Sequence, residues 1–550
     1  MVKGSSLLIF GVLAVISLVS IPSADAATFT ATENGDWNDI RTWSSAGPST
    51  FINVADRVII PSGITITIPS GVKITNAGTI TNIGTITNVG TITNLSGATI
   101  TNAGTITNSG VIHNSGAIDN SGTIDNSGVI NNLSGATITN SEIITNAGTF
   151  TNSGAITNSG TITNYGAINN LSGTTITNAG TIDNNSGATI TNAGTIDNNS
   201  GATITNVGTI TNNSGAITNN SGATITNSGA ITNFGIFTNS GVINNNAGTI
   251  NNFTTFANSG AINNAGAITN LSGATITNAG TITNSGAINN YSAINNSGTI
   301  NNAGAINNNA GTITNLSGAT ITNSGTITNL SGTTITNSGA IINSSTITNS
   351  GAITNLSDAI ITNAGTIDNN SGATITNAGA IANSDTITNS GTSTNLSDAI
   401  ITNFDTIDNN SGATITNSGI INSDYAAIIT NFGTIGNSGI INNSISTITN
   451  FGTINNSGII INSGAIKNAG AITNLSGATI TNSGAINSIS GATITNSGTI
   501  NDDCGGQIII ILISGNSPVD VCDSDGDGIP DKNDFCPNEY GYSPDGCPKK

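Results

Sequence analysis

A long parallel β-solenoid is the fold class that this sequence predicts, and three observations predict it. An isoleucine recurs every six residues from Ile74 to Ile500, inside a unit that reads Gly-Thr-Ile-Thr-Asn-x. Of the 66 positions in that series, only Phe150, Phe237, Phe256 and Ser393 lack isoleucine. The residues beside each isoleucine are polar and mostly β-branched, while Leu, Lys and Glu are scarce. A short period held this long means one small unit stacked on copies of itself.

The chain opens with Lys3, an apolar run from Leu7 to Val19, and Ala24-Asp25-Ala26 as a small-x-small cleavage site. Residues 1–26 therefore read as a secretory signal peptide, and no membrane span is expected once it is removed. Ile508 to Ile513 is too short to span a bilayer and is expected to be a buried strand.

Residues 27–71 break the repeat and hold both tryptophans, Trp37 and Trp43. Gly35-Asp36-Trp37-Asn38-Asp39, Thr42-Trp43 and the run from Asp56 to Ile66 resemble the opening segment of secreted right-handed β-helix proteins and surface adhesins. That resemblance, over about forty residues, implies an N-terminal cap that enters the first coil and protects the open end of the solenoid.

Residues 72–501 are the repeats. In Gly78-Thr79-Ile80-Thr81-Asn82-Ile83 the alternation is that of a strand, with Ile80 inward and both threonines outward. The following Asn-x-Gly reads as a corner, because Gly and Asn tolerate positive φ. Where the glycine is lost, Asp358, Asp385, Asp398, Asp405 or Ser345 stands in its place, and these are expected to accept the same conformation. Sixteen units have eight residues instead of six, as in Asn94-Leu95-Ser96-Gly97-Ala98-Thr99-Ile100-Thr101, and the gaps between them are nearly all even numbers of units. Bulges stacked along one edge would then give two units per turn and a rod of roughly 160 Å. A triangular coil of three units per turn, roughly 105 Å long, is the alternative. Most of the long units carry Asn-x-Ser, as in Asn94-Leu95-Ser96 and Asn184-Asn185-Ser186, so N-linked sugars would line the bulged edge if the host glycosylates that sequon.

Formal net charge is −19, and between Gly78 and Ile500 the basic side chains are His113 and Lys467. Nucleic acid and anionic membrane surfaces are poor partners for such a rod. A polysaccharide-active enzyme needs an acidic cluster or a basic residue in a groove, whereas Asp119, Asp125, Asp183, Asp197 and Glu142 are scattered singly. An ice- or mineral-binding solenoid would use ranks of Thr-Ile-Thr, but many units read Ala-Ile-Thr, Thr-Ile-Asn or Ala-Ile-Asn. The expectation is a non-catalytic structural or adhesive rod, secreted or at the cell surface, with surface carbohydrate or protein as partners.

Residues 502–550 carry the densest chemistry. In the run from Asp523 to Asp534, carboxylates stand at loop positions one, three, five, nine and twelve (Asp523, Asp525, Asp527, Asp531 and Asp534), with Gly526 at position six. Oxygens at that spacing wrap a hard cation wanting six to eight ligands, the Ile529 carbonyl supplying position seven, and calcium fits better than magnesium. Asp534 stands where an EF-hand has Glu, and helical flanks are missing from the pattern. The segment Asp523 to Cys536 resembles a thrombospondin type 3 repeat, matching D-x-D-x-D-G-x-x-D-x-x-D-x-C at every position. The resemblance implies Ca²⁺ held by Asp523, Asp525, Asp527, Asp531 and Asp534, with nearby cysteines bridged. Cys504, Cys522, Cys536 and Cys547 all lie here, and two disulfides with three alternative pairings are expected. Cys504–Cys522 with Cys536–Cys547 is favoured, since neighbours in sequence staple a loop that has little core. Zinc is a poor fit to wide cysteine spacings and an oxygen-rich set.

Overall fold

In the computed structural model, which describes residues 26–541 and 547–548, four-residue strands such as Thr79–Asn82, Thr85–Asn88 and Thr91–Asn94 alternate with tight corners. The signal-peptide segment falls outside the described residues, apart from Ala26. Each strand pairs in parallel with the third one after it, Thr79–Asn82 on Thr99–Asn102 and Thr85–Asn88 on Thr105–Asn108. Three sheets result, one of them 25-stranded, and they wrap the core as a triangular coil of about 24 turns. At ~4.8 Å per layer the rod is roughly 115 Å long.

Three units per turn, not two, is a correction to the expectation from the gap parity. Fourteen of the sixteen long corners flank one face, eight preceding its strands and six following them. Over residues 320–414 these two sites alternate, so gaps of two and four add to six units, which is two turns of a triangle. The parity thus records alternation between neighbouring corners and not the number of faces. A two-residue corner turns the chain through a third of a revolution; a flat coil would have to reverse it completely within the same two residues.

The strand alternation carries one residue further than the corner chemistry suggested. Ile80 and Asn82 both point inward, and Thr79 and Thr81 outward. The asparagines are fully enclosed, and nearly every amide donates to the Oδ1 of the asparagine one turn on: Asn278 to Asn296, 2.7 Å, and Asn284 to Asn302, 2.7 Å. Remaining amide capacity goes to main-chain carbonyls, so a buried polar column at each corner is satisfied. The ladders begin where the sequence begins to repeat: Asn82 and Asn88 lie in register with Ile60 and Ile68, and their Oδ1 atoms lack a partner. Between the ladders run stacked isoleucines, with Phe237 and Phe256 stacked face to face at 4.8 Å between ring centres.

Enclosure of the asparagines also corrects the glycosylation expectation. Asn94 and Asn184, the acceptors in two of the sequons, are 0% and 1% exposed, so sugars cannot be added to them on the folded rod.

Positive φ within the repeats belongs to the longer corners, at Gly97 (81°), Asp358 (64°) and Asp398 (65°). Ser345, Asp385 and Asp405 sit at short corners without it, contrary to expectation. Short-corner glycines answer a different need. A Cβ on Gly104 would lie 2.0 Å from the Gly84 carbonyl oxygen of the preceding turn.

The segment expected to be the cap already joins the faces, since Thr28–Thr30 pairs with Arg57–Ile60 and Phe51–Ile52 with the strand Lys73–Asn76. Trp37 and Trp43 pack edge to face over the first turn, with centroids 5.2 Å apart, and Trp43 Nε1 donates to the Trp37 carbonyl at 3.0 Å. Asp56 anchors the entry. Its carboxylate accepts from the main chain of Ala27 and Asn53 and from Asn53 Nδ2.

Candidate metal centre

The three faces run on past the last Gly-Thr-Ile unit as Gln507–Ile510, Ile513–Gly515 and Val519–Asp520. Ile508 to Ile513, expected as one buried strand, is instead parts of two strands and the corner between them: Ile508, Ile510 and Ile513 pack against the core, whereas Ile509 points outward and Ile511 and Leu512 lie at the exposed corner. A disulfide joins Cys504 to Cys522, one turn apart at the same corner, and a second joins Cys536 to Cys547. The favoured pairing is the one found. Both staple a region in which few apolar side chains are enclosed.

Chain leaving Cys522 folds into a loop built from its own carboxylates. Asp523 accepts from the amides of Gly526 and Gly528, both at 2.8 Å, which curls the chain around it. Gly526 and Gly528 hold φ of 77° and 90°, and glycine makes this curl sterically free. Asp525 Oδ1 accepts from the Asp527 amide at 3.1 Å, and Asp527 Oδ1 from the Ile529 amide at 2.9 Å. Each carboxylate is thereby aimed inward by a main-chain N–H two to five residues on.

The outcome brings one oxygen each of Asp523, Asp525 and Asp527 within 4.8 Å of one another. Asp525 Oδ2 is enclosed without a hydrogen-bond partner, and so is Asp534 Oδ2. Desolvation raises the Asp525 pKa above the usual carboxylate value, against a lowering hydrogen bond from Asp527, and the charges of Asp527, Asp534 and Asp523 raise it further. Like charges gathered around an orphaned oxygen are what a hard cation relieves.

Asp531 stands apart from this group. It accepts from the Ser524 amide at 2.7 Å and from the Ser524 hydroxyl at 2.6 Å, and these bonds lower its pKa. Asp534 Oδ1 accepts from the Cys536 amide at 2.7 Å. Ile529 contributes an amide donor to Asp527, and the Gly541 amide donates to Asp527 Oδ2 at 3.2 Å, a contact the spacing pattern gave no sign of. Cys504, Cys522 and Asp531 also converge, but both sulfurs are oxidised, which removes them as zinc ligands.

Along the rod, His113 Nδ1 lies 3.2 Å from Asn131 Nδ2 of the next turn. Asp119 stands between Thr101 and Thr139, and Asp183 between Thr163 and Thr205, so neither has a carboxylate neighbour along its face. No helix among the described residues is long and apolar enough to cross a membrane.

A haemagglutinin repeat family model matches residues 58–116, 84–160, 201–252, 235–290 and 315–371, together under half of the chain and all within the coil. No curated protein sequence matches significantly. Among solved structures, the chain is similar to the TibC-catalysed hyper-glycosylated TibA fragment, at 18% identity, covering 64% of this chain and 100% of that one with a TM-score of 0.15.

Proposed function

We propose that this chain is a secreted or cell-surface adhesive rod whose C-terminal end is a calcium-binding cap. The carboxylates of Asp523, Asp525 and Asp527 gathered around the orphaned Asp525 oxygen carry the calcium half of the reading. Those three residues and Asp534 would hold the ion, with Asp531 joining only if its bonds to Ser524 are exchanged for the metal. Calcium would supply charge neutralisation and cross-link the loop, as the likeness to a thrombospondin type 3 repeat implies. The match to haemagglutinin repeats supports the adhesive half, with surface carbohydrate or protein as the partner. The coil would hold its contact surfaces away from the cell, and a role without catalysis agrees with the isolation of Asp119, Asp183 and His113.

Calorimetric titration of the full chain with calcium tests the cap. Saturable heat that disappears in Asp525→Ala/Asp527→Ala supports the reading; no heat with both disulfides intact removes it. Binding of the chain to immobilised cell-surface glycans and proteins tests adhesion separately, and a rod that adheres to neither refutes that half.

A further inference from the structure

One face of the rod changes character between residues 340 and 461. On the face begun by Gly35–Asp36 and Thr65–Ile68, the first outward position of seven successive strands is Ala340, Ile360, Ala380, Ile400, Ile420, Ile440 and Ile459, each in register with the next. Thr320 precedes this column and Thr479 follows it. On the neighbouring face, the same position over four of these turns is Thr374, Thr392, Thr414 and Thr434. Ile360 is 48% exposed, Ile459 41% and Ile400 39%. The second outward position adds Ile342 and Ile461. Outward side chains of these seven strands include no charge, although the chain as a whole carries −19.

At the edge where these strands end, Tyr425 (77% exposed) and Ile445 (74%) project beside Phe404. Tyr425, Ala426 and Ile445 hold φ of 54°, 66° and 48°, a costly conformation for side chains that are not glycine or asparagine. Apolar projection is thus kept here against local backbone strain.

We propose that this stripe is an interface between two copies of the chain, paired side by side and antiparallel. Three properties favour a second copy over other occupants. The rungs repeat at ~4.8 Å, a spacing that an identical ladder matches along its whole length. The strand surface carries no charge, and the carboxylates that border it, Asp358, Asp385, Asp398, Asp405 and Asp424, stand at the corners and so at the solvated rim of the contact, where salt screens their repulsion. A two-fold axis at Ile400 sets Ala380 against Ile420 and Ala340 against Ile459 of the other copy, small against large, and Ile360 against Ile440. Seven turns span roughly 30 Å of a face about 13 Å wide, near 400 Å², half the ~800 Å² per partner of a standard interface. Threonine rungs on the same face supply the remainder, and the pairing is reversible.

Sedimentation velocity on the purified full chain, from about 1 to 100 μM, tests this. The expected result is a concentration-dependent dimer, lost in Ile400→Lys and in Ile440→Lys with far-UV circular dichroism unchanged. Lysine at an outward position is already accepted at Lys73 and Lys467. Ile400→Cys, on the axis, should cross-link to its own copy on mild oxidation. A monomer throughout the range overturns the proposal, as does a dimer indifferent to both lysines. Sedimentation with phosphatidylcholine vesicles by a monomeric rod also overturns it and assigns the stripe to a lipid surface.

Discussion

Asn278 donates its side-chain amide to Asn296 Oδ1 across 2.7 Å, and neither side chain meets solvent. Asn296 in turn donates to the Gly298 carbonyl and to Asn315 Oδ1. Carboxamide is the group that both gives and takes along such a column. Asn296→Asp keeps the acceptor, removes both donors and buries a charge. It should cost about 3 kcal/mol or more of local stability, read as lost hydrogen-exchange protection around residues 278–315. Asn296→Ser should cost less. Ser423 is a natural interruption of this kind, leaving Asn403 to donate to the carbonyls of Asp405 and Ile428.

Ser393 lies in register between Ile375 and Ile415, the one hydroxyl in a column of isoleucines. Ser393→Ile restores the missing apolar volume and should raise local stability by about 1–3 kcal/mol. Native-state hydrogen exchange of the strands at 374–377, 392–395 and 414–417 checks it. Slower exchange there with the distant turns unchanged is the expected pattern, because each turn contacts only its neighbours.

Asp56 titrates at the other end. Burial alone would raise its pKa, but hydrogen bonds from Ala27 and Asn53 outweigh this and lower it. A carboxylate with a depressed folded pKa contributes stability above its unfolded pKa of about 3.9 and loses it as pH falls through the lower folded value. Both tryptophans sit in this entry, so their fluorescence reports it. Emission should shift to the red as acid reaches that range, and Asp56→Asn should flatten the transition.

Reduction of Cys504–Cys522 should free the last turn without melting the coil. Closing a loop of this size in the unfolded chain contributes about 3 kcal/mol in the chain-entropy account. Cys504→Ser/Cys522→Ser should therefore expose residues 507–520 to protease while cleavage of the turns above them stays unchanged. General loss of the coil would show that the terminal staple holds more than its own turn.

Much of this architecture is legible in single units. Thr79-Ile80-Thr81 announces a strand with one inward residue, and the Asp523 spacing announces converging carboxylates, because both are local patterns that act over a few residues. Asn82 is harder to read: corner and interior chemistry favour the same residue, and only stacking reveals which purpose it serves. Gly104 and Gly97 look alike in sequence, yet one avoids the turn before it and the other adopts positive φ. Three units per turn depends on contacts between residues about twenty apart, which a six-residue period does not record. Asp531 matches the ligand pattern equally well, but its bonds to Ser524 hold it apart from Asp523, Asp525 and Asp527 and leave no trace in spacing.

Because every third strand shares a face, the coil has a phase as well as a length. Deleting one six-residue unit, for example residues 104–109, would leave each corner and rung with an acceptable neighbour and shorten the rod by less than 2 Å. Everything beyond the cut would swing a third of a revolution around the long axis. The isoleucine stripe and the carboxylate loop would then point in new directions relative to the tryptophan end. Insertions and losses in this gene are therefore rotations first and changes of reach second, and only those in threes leave the molecule facing the same way.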